Sequence, residues 1–502
     1  MSGFLTRSRD LRPPREATLP RDQQQWNWQQ AGRPAALYSA RPDGTVQCHL
    51  SPRNCVIRPG AVGFCRVRAN RGGELVTLNY GKSVAMTEET IETEAVYHYA
   101  PGARILSMGN IGCMMNCDYC HNWQTSQARY VEDRSVHHYT PEQVVESAVE
   151  RGIQVISWTY NDPVVWHEFV LDTARLARRH GLVNLFKSAF YISLEGAKEL
   201  CEVIDIFSIS LKSMDPTFYK RVTKGQLQPV LDATAYVFDR GKHVEVSSLL
   251  VTDANDREED AYRLSRWVLD RLGPDVPVHF VRFHPDYKYT QVERTPVDRL
   301  ERARAIALAE GVRYCYLGNV YDHAATNSYC PRCGSLAVER YGLVASPVGL
   351  TADARCRTCD EALPFRLLAR PDNAALAVVD VDDRDRPVVD HEWRGDVKAV
   401  HVEVTSAASA TYEVVVRVLG GASDGREIKR VPVLPGAQYR FIACKSASDD
   451  RGVRVQLAPD VHANLYEVYD RAHFPTNTIL EIEHSSDAVP EAAIRLQGGS
   501  RA

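Results

Sequence analysis

Three cysteines, Cys113, Cys117 and Cys120, share one short loop, CMMNCDYCHNW. Cysteines gathered at such spacing in a large chain point to metal, because disulfide frameworks belong to small secreted domains. A structural zinc site takes four closed ligands, typically as two CxxC-like pairs. Here no fourth cysteine lies nearby, although His121 adjoins the third. Zinc and buried core thiols are two readings of the loop. The third is a [4Fe-4S] cluster held by three thiolates, with one iron left open to chelate a small molecule. In that case the cluster is a reagent rather than an electron wire.

Four more cysteines follow a different pattern. Cys330 and Cys333 in YCPRCG, and Cys356 and Cys359 in RCRTCD, form two knuckles. That spacing predicts a zinc ribbon, a closed tetrahedral site whose role is structural. It staples a lobe too short to bury its own core. The knuckles lack a basic-aromatic cluster, so nucleic acid is not expected there. Cys48, Cys55 and Cys65 lie in CHLSPRNC and GFC. They could hold a metal completed by His49 or a small molecule, or they could simply pack. Cys201, Cys315 and Cys444 stand alone.

These ligands need a framework. At roughly 150 residues per domain, 502 residues suggest about three domains. A net charge of −4 gives no global pull toward nucleic acid or acidic membrane. The start has no apolar signal region, and no run approaches the ~20 apolar residues of a spanning helix. We therefore expect a soluble cytoplasmic protein. Residues 1–35 (RDQQQWNWQQ among them) are polar and read as poorly ordered, with Trp26 and Trp28 as anchors at most. A Cys- and Gly-containing region spans 36–100.

From 101 to 322 strand-like runs (RILSMGN, VISWTY, VNLFKSAF, IFSISLK, HVEVSSLLV, VPVHFVRFH, VRYCYLGN) alternate with amphipathic stretches such as PEQVVESAVERG and HEFVLDTARLARRHG. This is an α/β pattern that predicts a partial (β/α) barrel. The ribbon occupies 323–367. Residues 368–490 turn to period-2 runs and read as a sandwich-like β-rich region, with His391, Trp393 and Cys444 as packing residues. A tail covers 491–502. Barrel sites lie at the C-terminal ends of strands. There the sequence places Cys113 to Cys120, then Tyr160, Asn161 and Asp162, then Ser188, Lys212, His284 and Asn319, with Glu245 inside the fifth strand.

The CxxxCxxC loop after the first barrel strand resembles the radical S-adenosylmethionine (SAM) superfamily. The series YHYAPGARILSMGNIGCMMNCDYCHNW, TYNDP, LKSMDPTFYK, RFHPDYK and YLGNV is similar to the pyruvate formate-lyase activating enzyme branch. With SYCPRCG it looks closest to AmmeMemoRadiSam-type proteins, over about residues 36–366. The resemblance implies that the open iron binds SAM and that the reduced cluster cleaves it to methionine and a 5′-deoxyadenosyl radical, which abstracts hydrogen. It implies Tyr119 packed on adenine, the TYNDP segment (Asn161, Asp162) on the SAM amino group, and Lys212 in SAM binding; Ser188 and Glu245, by their place in the barrel strands, are expected to line the cofactor. His284 matches a family histidine near the site. Related proteins carry an aspartate-leucine-lysine motif where this chain has Ser210-Leu211-Lys212, and a CxLCPxxC pattern where it has Ser51. The partners implied are a reductase such as a flavodoxin or ferredoxin and a substrate that is a small molecule, peptide or protein. A glycyl-radical partner and a chemically silent metal-bearing scaffold are the competing readings.

Overall fold

The computed structural model describes residues 32–320, 324–341, 343–368, 381–393, 399–408, 412–420, 425–433, 438–444 and 451–468. Residues 1–31 of the polar N-terminal segment, with Trp26 and Trp28, and the 491–502 tail lie outside the described residues. The chain divides into two compact units, one ending at Leu367 and the other beginning at Leu368.

In the first unit, β1 (Lys82–Thr90) precedes seven strands: β2 (Arg104–Asn110), β3 (Val155–Thr159), β4 (Val183–Ser188), β5 (Ile206–Ser210), β6 (His243–Leu250), β7 (Val278–Arg282) and β8 (Cys315–Gly318). Helices α1 (Pro141–Glu150), α2 (His167–Arg179), α3 (Leu194–Val203), α4 (Leu227–Asp239), α5 (Glu258–Arg271) and α6 (Val297–Glu310) fill the six connections. Strands β2 to β8 pair in parallel in chain order, and β1 adds antiparallel to β2. This is the expected partial barrel. Helix starts are written locally. Thr140 and Gln143 form a capping box before α1, and Ser193 caps α3 through the Gly196 N–H. Helix α4 carries Pro229 in its first turn, where no intrahelical N–H is needed.

The strands alternate in an unusual sense. Leu106, Met108, Ile156, Trp158, Phe186, Phe207 and Phe280 belong to the main apolar core. The residues between them are Ser107, Ser157, Thr159, Lys187, Ser208, Glu245, Ser247 and His279. Polar side chains thus line the barrel, and their hydrogen bonds show it. Lys187 Nζ donates to Ser208 Oγ (3.0 Å) and Ser247 Oγ (3.1 Å) across adjacent strands.

A segment just before β2 closes the barrel's base. The 3-10 turn Ile91–Glu94 drops the buried Glu94 carboxylate inside, where it accepts from Ser157 Oγ (2.9 Å) and Thr159 Oγ1 (2.7 Å). The Ser208 hydroxyl donates to the Glu94 carbonyl at 2.6 Å. Next along the chain, the ring of Tyr97 meets His279 edge-on with centroids 4.7 Å apart. This plug is held from below by strands β9 (Ser328–Tyr329), β10 (Leu336–Tyr341) and β11 (Val344–Ser346), which carry the four-cysteine lobe. Buried Arg340 of β10 donates to the Tyr97 carbonyl (2.7 Å), stacks over the Tyr97 ring (4.0 Å) and faces Glu92 at 3.6 Å. Phe365 stacks on His98 with centroids 4.0 Å apart.

The second unit contains β12 (Val388–Glu392), β13 (Ala399–Ser406), β14 (Tyr412–Leu419), β15 (Glu427–Val433), β16 (Gln438–Cys444), β17 (Gly452–Gln456) and β18 (Val461–Val468). They form two antiparallel sheets, ordered β12-β17-β14-β15 and β16-β13-β18. His391 is buried, and its ring meets Trp393 edge-on. In neither unit is a described helix long and apolar enough to cross a membrane.

Candidate active site

The three-cysteine loop leaves the C-terminal end of β2, and backbone contacts on several sides fix its path. Asn116 N–H donates to the Thr223 carbonyl and Asp118 N–H to the Val222 carbonyl, each at 3.1 Å. Lys288 N–H donates to the Asp118 carbonyl at 2.9 Å, and Lys224 Nζ meets the Asp118 carboxylate at 2.8 Å. On the β3 side, Asn122 Nδ2 donates to the Tyr160 carbonyl at 2.6 Å. All three thiols are partly buried, and burial pushes Cys113, Cys117 (to about 12) and Cys120 up. The strongest opposing influence on Cys117 is the Lys212 ammonium. Asp162 is the charge felt most strongly by Cys113.

The strand ends largely serve to build this loop. Tyr160 ends β3 in the left-handed region at φ 65°, a conformation that costs a non-glycine residue energy and persists only where the surroundings enforce it. Its ring lies over Gly109, where a Cβ would come within 2.8 Å of the ring carbon Cδ2, and its hydroxyl bonds Thr87 on β1. Asn161 Oδ1 accepts from Thr125 Oγ1 (3.0 Å), and its amide donates to the Asn110 carbonyl. Asp162 accepts from Ser188 Oγ (2.7 Å), Ala189 N–H (3.1 Å) and Val164 N–H (3.2 Å), tying β3 to β4. His284 stacks on His121 at 3.7 Å, and His121 Nε2 donates to the His284 carbonyl at 3.0 Å. Asn319 is exposed and donates to the Arg282 carbonyl at 3.0 Å.

Three residues expected to line the cofactor make other contacts in the structure. Glu245 is one. Its fully buried carboxylate accepts from Tyr97 and His98 N–H (2.8–3.0 Å) and from His243 and His279 Nε2 (2.9 and 2.8 Å), so it anchors the plug. Burial opposes its charge, yet the two imidazoles hold its carboxyl well below the usual range. Ser188 spends its hydroxyl on Asp162 and on the Phe190 N–H (2.7 Å). Tyr119 is 3% exposed and packed with Phe218, Val251 and Phe283. Its ring buttresses the loop.

Other groups escaped the sequence reading because their partners are distant in sequence. Glu89 and Glu94 share the Ser107 hydroxyl, at 2.8 and 3.5 Å. Burial and then Glu89's charge push Glu94 up to about 7, while burial pulls Lys187 down to about 8. A lysine within the apolar run VNLFKSAF was the available signal.

The remaining cysteines separate clearly. Among the described residues, the only group of three or more metal-ligating side chains with ligand atoms all within 4.8 Å of one another is Cys330, Cys333, Cys356 and Cys359. Both knuckles are the same turn: Gly334 N–H donates to the Cys330 carbonyl (2.8 Å) and Asp360 N–H to the Cys356 carbonyl (2.9 Å). Cys48, Cys55 and Cys65 are not drawn together in that way. Burial pushes Cys65 up to about 11.

An uncharacterized protein of Methanocaldococcus jannaschii is 39% identical over 336 residues, covering 67% of this chain and all of that protein. The family model for the radical SAM superfamily matches residues 110–265, which span the three cysteines and the ends of β3 to β6. The chain belongs to the radical SAM superfamily. Its place is in the branch of the pyruvate formate-lyase-activating enzymes. Within that branch, pyruvate formate-lyase 1-activating enzyme of Escherichia coli is 22% identical over 219 residues, 41% of this chain and 89% of that enzyme. The Streptococcus mutans activating enzyme is 26% identical over 182 residues, 34% of this chain and 66% of its own. A solved domain of the Bacteroides vulgatus activating enzyme aligns over 32% of this chain and 97% of its own, at 14% identity and TM-score 0.29. This radical SAM chain is therefore an enzyme, and its family implies a [4Fe-4S] cluster and SAM.

Proposed function

We propose that the protein cleaves SAM reductively at a [4Fe-4S] cluster held by Cys113, Cys117 and Cys120, and uses the resulting 5′-deoxyadenosyl radical to take hydrogen from a substrate. The observation that carries this reading is the set of three partly buried thiols at the C-terminal end of β2, inside the family match. The donor set fits the group. A cubane stands between its thiolates, so they need not approach as closely as ligands of one ion. Burial pushes all three thiols up, so a cationic metal is what would ionise them. Cys113, Cys117 and Cys120 would hold the cluster, which when bound would supply the one-electron reduction that cleaves the sulfur–C5′ bond of SAM, with a flavodoxin or ferredoxin as the source of the electron.

The chain's own residues do the positioning. Lys212 places a positive charge beside Cys117 and Cys120. Asn161 and Asp162 brace the strand ends against which SAM would lie. The plug under Glu94 excludes water from the base of the barrel. We assign His284, stacked on His121 beside Cys120, to the substrate side of the loop. For the four-cysteine group we propose a structural zinc ion. The β-rich second unit reads as a recognition module, and Cys48, Cys55 and Cys65 as packing thiols. A second reading, activation of a glycyl-radical partner protein, is favoured by the names of the E. coli and S. mutans relatives.

The test is anaerobic reconstitution of the full chain with iron and sulfide, followed by dithionite, SAM and quantitation of 5′-deoxyadenosine. Wild type forms it and Cys117→Ala does not. Equal yields from the two, or none from iron-loaded wild type, overturn the reading.

A further inference from the structure

We propose that Arg53, from the Cys- and Gly-containing region at 36–100, is a positioning residue for the three-thiolate loop, framing its backbone and setting the reduction potential of the group it holds. This rests on the [4Fe-4S] assignment above.

The geometry is specific. Arg53 Nε donates to the carbonyl of Met114, the residue after Cys113, at 2.5 Å. Its Nη2 donates to the carbonyl of Lys224. Lys224 sits in the left-handed region at φ 60°, and its ammonium turns back to the carboxylate of Asp118, between Cys117 and Cys120. One guanidinium thus grips the loop directly at its start and, through Lys224, near its end. The guanidinium carbon also lies 3.5 Å from the Phe64 ring centroid, which leaves the fork little freedom.

Only arginine can do all three things, because its planar fork spans two diverging carbonyls while one face stays stacked. Its charge is permanent. Its fork is fixed to the carbonyl of the residue that follows Cys113. A fixed cation beside an iron–sulfur group favours the reduced, more negative state, so it raises the potential. The CHLSPRNC lobe therefore tunes the cluster even though its own cysteines are not drawn together as ligands.

The test compares full-length wild type, Arg53→Gln and Arg53→Lys, reconstituted anaerobically. Iron and sulfide are counted, and each protein is titrated redox-potentiometrically with EPR detection of the reduced cluster. Arg53→Gln is expected to shift the midpoint potential negative and broaden the EPR signal. Arg53→Lys keeps the charge and hence most of the potential, but loses one carbonyl and retains less iron after gel filtration. If Arg53→Gln proves unfolded by circular dichroism, the lysine variant alone decides through iron retention. Wild-type potential and line shape in the folded glutamine variant, or wild-type iron retention in the lysine variant, overturn the proposal. An absence of any cluster signal in reconstituted wild type instead counts against the cluster assignment itself.

Discussion

Two cysteine-rich regions of one chain solve opposite problems. In the lobe of β9 to β11, four sulfurs face one another, with Cys330 to Cys359 and Cys333 to Cys356 both at 3.7 Å. Within that group the Ser335 hydroxyl holds the Cys356 thiol down to about 6. In the loop after β2, three thiols are pushed up by burial, and backbone bonds to the Val222 and Thr223 carbonyls fix the path of the loop. On the reading proposed above, four converging ligands make a staple, and three spaced thiolates leave a coordination place for chemistry.

The largest effects should separate these roles in opposite directions. Cys117→Ala is expected to reduce 5′-deoxyadenosine to background while leaving one zinc per chain, as read by metal analysis of the same preparation. Cys356→Ala should invert that result. Zinc is lost and unfolding comes earlier, by more than about 3 kcal/mol, since loss of a metal is among the mechanisms of severe destabilisation. If both variants lose both metals, the two regions are one folding unit and the contrast fails.

Next in size is the link between lobe and barrel. Arg340→Ala removes the counter-charge of buried Glu92 and should cost about 3–5 kcal/mol in denaturant unfolding, as for broken buried pairs. No measurable cost would show that the staple does not support the barrel.

Glu245→Gln probes the plug through pH. A carboxyl held well below its ordinary 4.5 stabilises the fold above that value and loses the contribution as pH falls through the folded value. The penalty of Glu245→Gln should thus be largest near neutrality and shrink on acidification, read as the gap between the two denaturation curves. A pH-independent gap would argue against an ionised Glu245.

Smallest is Gly109→Ala. The added methyl meets the Tyr160 ring and should cost about 1–3 kcal/mol as overpacking does, without loss of metal.

The barrel was legible because its strands are short, bounded and regularly spaced, and all seven runs read from the sequence are strands. The helices after Ser193 and Gln226 did not stand out: one is short with a glycine in its first turn, the other carries an early proline. Cys113, Cys117 and Cys120 were readable because ligand spacing is local. Glu245 was read as a site residue because it is a carboxylate within a barrel strand. Its donors at Tyr97 and His98 lie almost 150 residues earlier and leave no local mark. Arg53 and Arg340 were invisible for the same reason. Both reach backbone carbonyls, and a carbonyl has no sequence signature.

The plug beneath the barrel also sets an order of events. Its fastenings come late: Arg340 on the Tyr97 carbonyl joins residues 243 positions apart, and Phe365 on His98 comes later still. On a ribosome, which releases the N-terminal part first, the strands and the cysteine loop are all made before that arginine emerges. The barrel is thus born with an unsecured base, and the final stitch comes from the stretch of chain that also encodes the staple.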